Sequence, residues 1–448
     1  MSLPYDIYEG ITEDLQLKSV LSENIANPDQ DNTYHLTATN ALPYHIFKIH
    51  VNSSCGKTKL NYSGYTHDGE RLALFVYNIE TDTWDRMDDD ITVDSYASNL
   101  VAVVNIKTYT KDGILCAMAA PELAANGSDT IAFTGDTQNY TSPNMYIDGK
   151  PNGIYKTLTT WVRNEYFAGH VAHFHHAGDM ANSVVTTEEQ LETEWQIVDE
   201  AHKITDDVGI PFSVSPGDHD TKIKSWNIRP FFEKTFPVSR YQNMIWYGGH
   251  YSSNYNFYSL VTIAGRDFIF LVTRKDDYPY DWGQSILNRY KHRIAVIGRH
   301  IYLVEPGDYG VFGQRIYSQF VRPHENVRLV LGGHIGKRIH QTSDVKGRPV
   351  VEIIVDHTDY NRTENGKGAE GYIRLISFRD GKMINTTYSP WLNTYLDDPE
   401  ESWTEDFVLP DIVRELNSIQ LSAEICSDCE ASPVCGHNQK CRIDPDIE

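Results

Sequence analysis

Long apolar runs, basic charge and cysteine are what this chain has least of. No stretch approaches the ~20 apolar residues needed to span a bilayer, so no membrane span is expected. Lys and Arg number 39 against 62 Asp and Glu, a formal charge of -23 over 448 residues. That balance excludes a nucleic-acid scaffold as partner and nonspecific binding to anionic membranes, because their phosphates are repelled. A bound dication would invert the field locally, so a single phosphate group stays admissible as a ligand. There is no internal repeat and no low-complexity segment. Only six cysteines occur, and four of them crowd between Cys426 and Cys441. The stretch Met1 to Gln16 lacks the basic start and apolar run of a signal peptide. The sequence reads either as cytosolic or as a mature exported form behind an added methionine. The crowded cysteines and six Asn-x-Ser/Thr sequons, at Asn52, Asn61, Asn126, Asn139, Asn361 and Asn385, favour the exported form. An extracellular, glycosylated protein is the expectation.

What is present divides the chain into three. A length of 448 residues predicts two or three domains, and 12% aromatics with 28 tyrosines leans towards β-rich structure. In residues 1–125, the β-prone runs Ile46 to Val51, Leu72 to Tyr77 and Leu100 to Tyr109 are separated by Gly, Asp, Asn and Ser clusters. This spacing predicts an all-β sandwich. The segment Leu74 to Asn78 leading to Thr83-Trp84-Asp85 resembles strands of sandwich modules that accompany secreted hydrolases, which implies glycan contact or a spacer role. Residues 126–410 form the second domain. Residues 411–448 hold an amphipathic stretch, Ile412 to Leu421, taken as helical, and then the cysteine tail.

The second domain carries the chemistry. Thr130 to Thr134 is a buried-strand run that ends at Gly135-Asp136. Leu158, Trp161, Val162 and Tyr166 then recur at helical spacing. A second strand, Val171 to Ala177, ends at Gly178-Asp179. The next helix is expected to start at Thr186, with Glu189 completing a capping box and Leu191, Trp195 and Val198 as its apolar stripe. Ile210 to Ser215 is a third strand, ending at Pro216-Gly217-Asp218-His219-Asp220. Strand–helix–strand–helix–strand implies a parallel sheet, and ligands gather beyond the carboxyl ends of such strands. Phe257 to Ile263 and Phe268 to Thr273 read as paired strands and Trp282 to Tyr290 as a helix. Arg293 to Gly298 delivers His300, and Val327 to Leu331 delivers His334. All five candidate ligands are thus assigned to strand ends of one α/β sheet.

Any one Gly-Asp step is more often a plain turn. Five oxygen and nitrogen donors in order, each at a strand end, point to a metal centre and to hydrolysis. Asp with His suits Zn, Fe or Mn, whereas oxygen alone would suit Ca or Mg. His219, flanked by Asp220, is placed to give a proton to a leaving oxygen. The cluster His170, His173, His175 and His176 lies largely within the second strand, where neighbours alternate faces, and is read as structural.

These motifs resemble the calcineurin-like metallophosphoesterase superfamily, in the branch whose first motif is Asp-Thr-Gln. The matching segments are Thr134 to Tyr140, His176 to Asp179, Pro216 to Asp220, Arg299 to Leu303 and Gly332 to Gly336. Ile245 to Gly249 with Asn256 to Tyr258, and Gly371 to Leu375 with Tyr388 to Pro390, match as well. The resemblance implies an α/β fold with a metallophosphoesterase-type β-sandwich core flanked by helices, preceded by the all-β sandwich. It implies that Asp136 and Gln138 serve a first metal, that Asp179 bridges, and that Asp218, His300 and His334 serve a second. One or two divalent ions per chain, Zn, Fe or Mn, would be held there. A metal-activated hydroxide would attack phosphorus in a small phosphomonoester or phosphodiester, with His219 as general acid oriented by Asp220.

Three positions depart from the family pattern. Gly-Asn-His reads Gly217-Asp218-His219, which adds a charge where phosphate must approach. Gly-His-x-His reads Gly333-His334-Ile335-Gly336, so one first-metal histidine is missing, and whether His340 reaches back is left open. Gln138 is usual for the branch but is a weaker ligand than histidine. The departures leave a rival of another class: a catalytically impaired pseudoenzyme serving as an extracellular binding or structural protein. In the tail, Cys426, Cys429, Cys435 and Cys441 fit two disulfides in an exported chain or, with His437, a structural Zn site in a reducing one. Cys55 and Cys116 either pair or remain thiols. Substrate selection is assigned to the loops Tyr140 to Tyr155 and Asp276 to Gln284.

Overall fold

The computed structural model describes residues 4–18, 20, 23–29, 31–51, 56–142, 153–184, 187–223, 226–274, 279–304, 307–357 and 370–425. Its site-bearing part is built on two seven-stranded sheets. In the first, β1 (Thr130–Thr134), α1 (Ile154–Phe167), β2 (His173–His176), α2 (Glu188–Asp206) and β3 (Phe212–Val214) follow in order, and the three strands are parallel. The second contains β4 (Ser253–Ile263) and β5 (Arg266–Val272), an antiparallel pair, then α3 (Tyr280–Arg289). Next come β6 (Ile294–Gly298), β7 (Val327–Gly332) and β8 (Arg348–Val355), with β5 to β8 parallel neighbours. β9 (Ile373–Arg379) returns to the first sheet, antiparallel to β1.

Side-chain alternation along these strands decides the layering. Ile131 and Phe133 of β1 face Phe268, Phe270, Val296 and Leu329 of the other sheet, making one inner core. Ala132 faces the opposite way, into a core with Leu158 and Val162 of α1 and Leu191, Trp195 and Val198 of α2. On the far side, Leu271, Ile297 and Val330 pack on Ile286 and Leu287 of α3. Each such fully buried aliphatic or aromatic side chain contributes about 2 kcal/mol. The fold is mixed α/β, a β-sandwich flanked by helices. The five candidate ligands therefore come from two facing sheets, three from the first and two from the second, where the sequence pattern gave one. Apolar run length marks a buried strand but not which sheet it joins.

Among the described residues, the N-terminal part is built of strands apart from the single turn of helix Ile106–Tyr109, which ends the β-prone run from Leu100. A six-stranded sheet including Leu42–His50, Arg71–Asn78 and Ile114–Pro121 packs on a four-stranded one including Lys57–Tyr65 and Ser98–Asn105. Their shared core holds Phe47, Leu60, Leu72, Leu100, Leu416 and Leu421. Leu416 and Leu421 belong to Val413–Ile425, a strand between Tyr34–Thr39 and Lys57–Tyr65. The stretch taken as helical is thus a strand. Arg414, Leu416 and Ser418 point inward, and past a bulge between Ser418 and Gln420 the inward residues are Leu421 and Ala423, so the apolar positions do not keep a period of two. Buried ion pairs join the two parts, Glu70 with Arg293 and Asp267 with Arg414.

Smaller expectations also shift. Helix α2 is capped by Thr187, whose hydroxyl accepts the Gln190 amide at 3.3 Å, one residue later than the Thr186–Glu189 box. Thr186 lies outside the described residues. Asn385 is fully buried on Lys382–Ser389, so that sequon cannot carry a glycan in the folded chain. Cys116 is a free thiol. Cys55, the tail cysteines, Asn52 and Asn361 lie outside the described residues. Among the described residues no helix is long and apolar enough to cross a membrane.

Candidate metal centre

The parallel strands of both sheets end at one edge, and the turns that follow them are tight. Asp136 (φ 55°), Asp179 (φ 53°) and His334 (φ 87°) all adopt left-handed backbone, which non-glycine residues seldom do and which concentrates at functional sites. The glycines beside them serve close approach. A Cβ on Gly217 would collide with the Asp179 carboxylate, and one on Gly333 with that of Asp136.

Four of the predicted donors meet. One ligand atom from each of Asp179, Asp218, His300 and His334 lies within 4.8 Å of the others. His300 Nε2 is 3.1 Å from Asp179 Oδ2 and 3.4 Å from Asp218 Oδ1, and His334 Nδ1 is 3.0 Å from Asp218 Oδ1. His300, 1% exposed, donates its Nδ1 hydrogen to the Ala177 carbonyl at 2.8 Å. That bond leaves Nε2 as the unprotonated, ligating nitrogen in the neutral ring. His300 Nε2 and Asp218 Oδ1 are buried, and their polar contacts are these ion pairs within the group of four.

Electrostatics mark the same place. Burial and the neighbouring charges of Asp356 and Asp179 push the Asp136 carboxyl well above its ordinary value, against the pull of His300. Burial would also raise Asp218, but His300 and His334 hold it below the usual carboxylate range. Burial would lower His300, yet Asp179 and Asp136 carry it well above the usual imidazole value. Two carboxylates and two imidazoles in mutual contact are a chemically apt donor set for Zn, Fe or Mn.

The other predicted residues sit around this group. Asp136 lies beside it, its two oxygens accepting the His334 amide at 3.0 and 3.1 Å. Gln138 opens the short helical turn Gln138–Tyr140, with its Oε1 buried and unbonded. His340 does not join the group of four donors, and its ring stacks on Trp403 at 4.1 Å. His219 donates its backbone amide to Asp179 Oδ1 at 2.9 Å, and its Nδ1 bonds the Asn182 carbonyl. Asp220 does not orient that ring. Its carboxylate is taken up by the backbone amides of Asp179, Met180 and Gly217, at 2.7 to 2.9 Å, and so ties two ligand turns together. Adjacent residues of a turn point apart, which is why sequence adjacency misled.

The histidine-rich second strand is structural in its contacts. His173 and His175 both bond Ser213, and His176 bonds Thr137 and accepts the Gly178 amide. Burial lowers the pKa of all three, so they are neutral. Sequence reasoning missed Asp356, 3% exposed, whose Oδ2 accepts the Gly336 amide at 2.5 Å. It closes the apolar run of β8 as the candidate ligands close theirs, and its charge acts on Asp136, but no glycine flags it. Of the two substrate loops, residues 143–152 and 275–278 lie outside the described residues.

Comparison with known proteins gives distant likenesses. No protein-family model matches the chain. It is 26% identical over 368 residues to the uncharacterized protein YvnB of Bacillus subtilis (strain 168), covering 78% of this chain. The match spans 27% of the length of that relative. Among solved structures, it is similar to a dimetal phosphatase from Danio rerio, with 12% identity and TM-score 0.42 over 62% of this chain and 98% of that one. It is also similar to purple acid phosphatase PPD1 from yellow lupin (Lupinus luteus) seeds, with 9% identity and TM-score 0.41 over 82% and 72%. A further likeness is to vacuolar protein sorting 29 from Cryptosporidium parvum, with 12% identity and TM-score 0.29 over 63% and 98%.

Proposed function

We propose that this chain is a metal-dependent phosphoesterase that hydrolyses a phosphomonoester or phosphodiester. The observation that carries the reading is the meeting of Asp179, Asp218, His300 and His334, with Asp218 Oδ1 and His300 Nε2 buried and in polar contact within the group. Two carboxylates converging in a buried place are costly, and a shared cation is the partner that would satisfy the whole set. These four side chains would hold one divalent ion, and Asp136 and Gln138, with Asp179, would hold a second. The bound ions would supply positive field for the phosphoryl oxygens and acidify a bound water. That field is needed because the rest of the site, Asp136, Asp220 and Asp356 included, would repel a phosphate.

The chain's own groups supply position and protons. Asp220 fixes the turns bearing Asp179 and Asp218 through three amides. Ala177 sets the tautomer of His300. His219, held at Nδ1 by Asn182, keeps its Nε2 edge for the leaving oxygen, which supports it as general acid. The test joins metal analysis of the purified chain with turnover of aryl phosphate mono- and diesters under added Mn, Zn and Fe. The expected result is bound metal and turnover that Asp179→Asn abolishes. Bound metal without turnover on either ester class would instead favour the pseudoenzyme, which the glycine at 336 makes a specific alternative. No metal and no turnover would end the phosphoesterase reading.

A further inference from the structure

Behind His219, α2 buries a carboxyl that its apolar face does not need. Glu194 is 0% exposed, set between Leu191, Trp195 and Val198, where another apolar residue would cost nothing in solvation. Its Oε2 accepts the Ser183 amide at 2.7 Å, while Oε1 is buried without a hydrogen bond. Ser183 is itself left-handed, with φ 57°. One residue earlier, Asn182 donates its amide to Thr141 Oγ1 at 3.1 Å and offers its carbonyl to His219 Nδ1. The Asn182–Ser183 step is therefore pinned on both sides, by Thr141 and by Glu194, and the atom between the pins is the one that holds the His219 ring. Burial pushes the Glu194 carboxyl up to about 7 and the charge of His219 draws it back, so the two side chains lie close enough to act on each other.

We infer that Glu194 is a positioning residue for His219: by gripping the Ser183 amide it holds a strained turn whose Asn182 carbonyl fixes the imidazole with Nε2 towards the site. A left-handed serine is strained and persists only where its surroundings over-determine it. Helix packing alone does not account for the carboxyl, because leucine would fill the same stripe. The inference rests on the reading of His219 as proton donor.

Two variants and two readouts test it. Glu194→Gln keeps an acceptor for the Ser183 amide, whereas Glu194→Leu removes it and suits the apolar stripe. General-acid help matters for poor leaving groups and little for good ones, and contributes roughly 10²–10⁴-fold. In Glu194→Leu, turnover of an alkyl phosphate ester should fall at least about tenfold while that of a dinitrophenyl ester changes less than about twofold, with Gln restoring the alkyl rate. Equal losses on both esters, or none, overturn the inference. The second readout is nitrogen NMR of histidine-labelled protein, with the His219 signals assigned through His219→Gln. The wild-type ring should show protonated Nδ1, and Glu194→Leu should lose that pattern. If the wild type turns over neither ester, the phosphoesterase reading fails and the NMR comparison alone decides on Glu194. An unchanged His219 spectrum in Glu194→Leu would then overturn it.

Discussion

Ion binding should be visible as stability, and its size follows from the site. Asp218 Oδ1 and His300 Nε2 are buried, in ion-pair contact with their neighbours but outside good hydrogen-bond geometry. An unsatisfied atom of this kind costs at most about 1–3 kcal/mol, so an ion that engages both recovers up to about 2–6 kcal/mol. Mass action gives ~2.7 kcal/mol at a hundredfold excess of ion over its dissociation constant, within that range. At roughly 2–4 °C per kcal/mol for a domain of this order of size, the melting midpoint should rise by about 5–10 °C. The assay is thermal unfolding of chelator-treated protein, followed by added Mn, Zn or Fe(II). His300→Ala removes one ligand together with its ion pairs to Asp179 and Asp218, so its rise is read against its own ion-free form. Its ion-dependent rise should shrink below about 2 °C on the same scale. The reasoning is refuted if wild-type protein shows no rise with any of the three ions, or if His300→Ala and Asp218→Asn rise as much as the wild type.

Two further outcomes are open to measurement. A methyl group on Gly217 would strike the Asp179 carboxylate and backbone amide, and overpacking of this kind costs about 1–3 kcal/mol. Gly217→Ala should therefore melt earlier and lose its bound metal, and an unchanged metal content would contradict the close packing of the two turns. The second concerns Glu401, which pairs with Arg374 at 2.8 Å and Arg338 at 2.7 Å, and accepts from Thr387 at 2.8 Å. Burial opposes the charge, but the His357 hydrogen bond, the Arg374 charge and the Thr387 hydroxyl bring its carboxyl down to about 2 from an ordinary 4.5. Burial draws Arg374 down to about 10, so it stays charged at neutral pH and the pair persists. A depressed carboxyl contributes stability above its unfolded pKa and loses it as pH falls through the folded one. Replacing Glu401 by Gln should thus cost on the order of 3 kcal/mol at pH 7 and progressively less from about pH 4.5 towards pH 2. A denaturant series showing a pH-independent cost would refute it.

How much of this was legible in the sequence depends on what each signal encodes. Buried-strand runs carry their own length and apolar content, so β1, β6 and β7 appear within a residue or two of their observed ends. Sheet membership is not local. His300 and His334 reach Asp179 only because Phe270, Val296 and Leu329 pack on Phe133 from a second sheet, and nothing in either run states that pairing. The strand Val413–Ile425 failed differently, since one bulge breaks its period of two and polar Arg414 and Ser418 occupy inward positions. At the site, glycine was the legible mark and its absence the blind spot: Asp356 ends β8 as Asp136 ends β1, yet no glycine precedes it. Roles were harder still. Asp220 follows His219 directly, but successive side chains in a tight turn diverge, and its carboxylate went to three amides while a backbone carbonyl took the imidazole. A backbone carbonyl has no sequence signature, nor does a carboxyl such as Glu194 lying within an apolar helical stripe. The donor atoms of the centre could be read from residue types and spacing. The groups that aim them are backbone atoms and side chains from other elements, set by tertiary packing, and so required the fold.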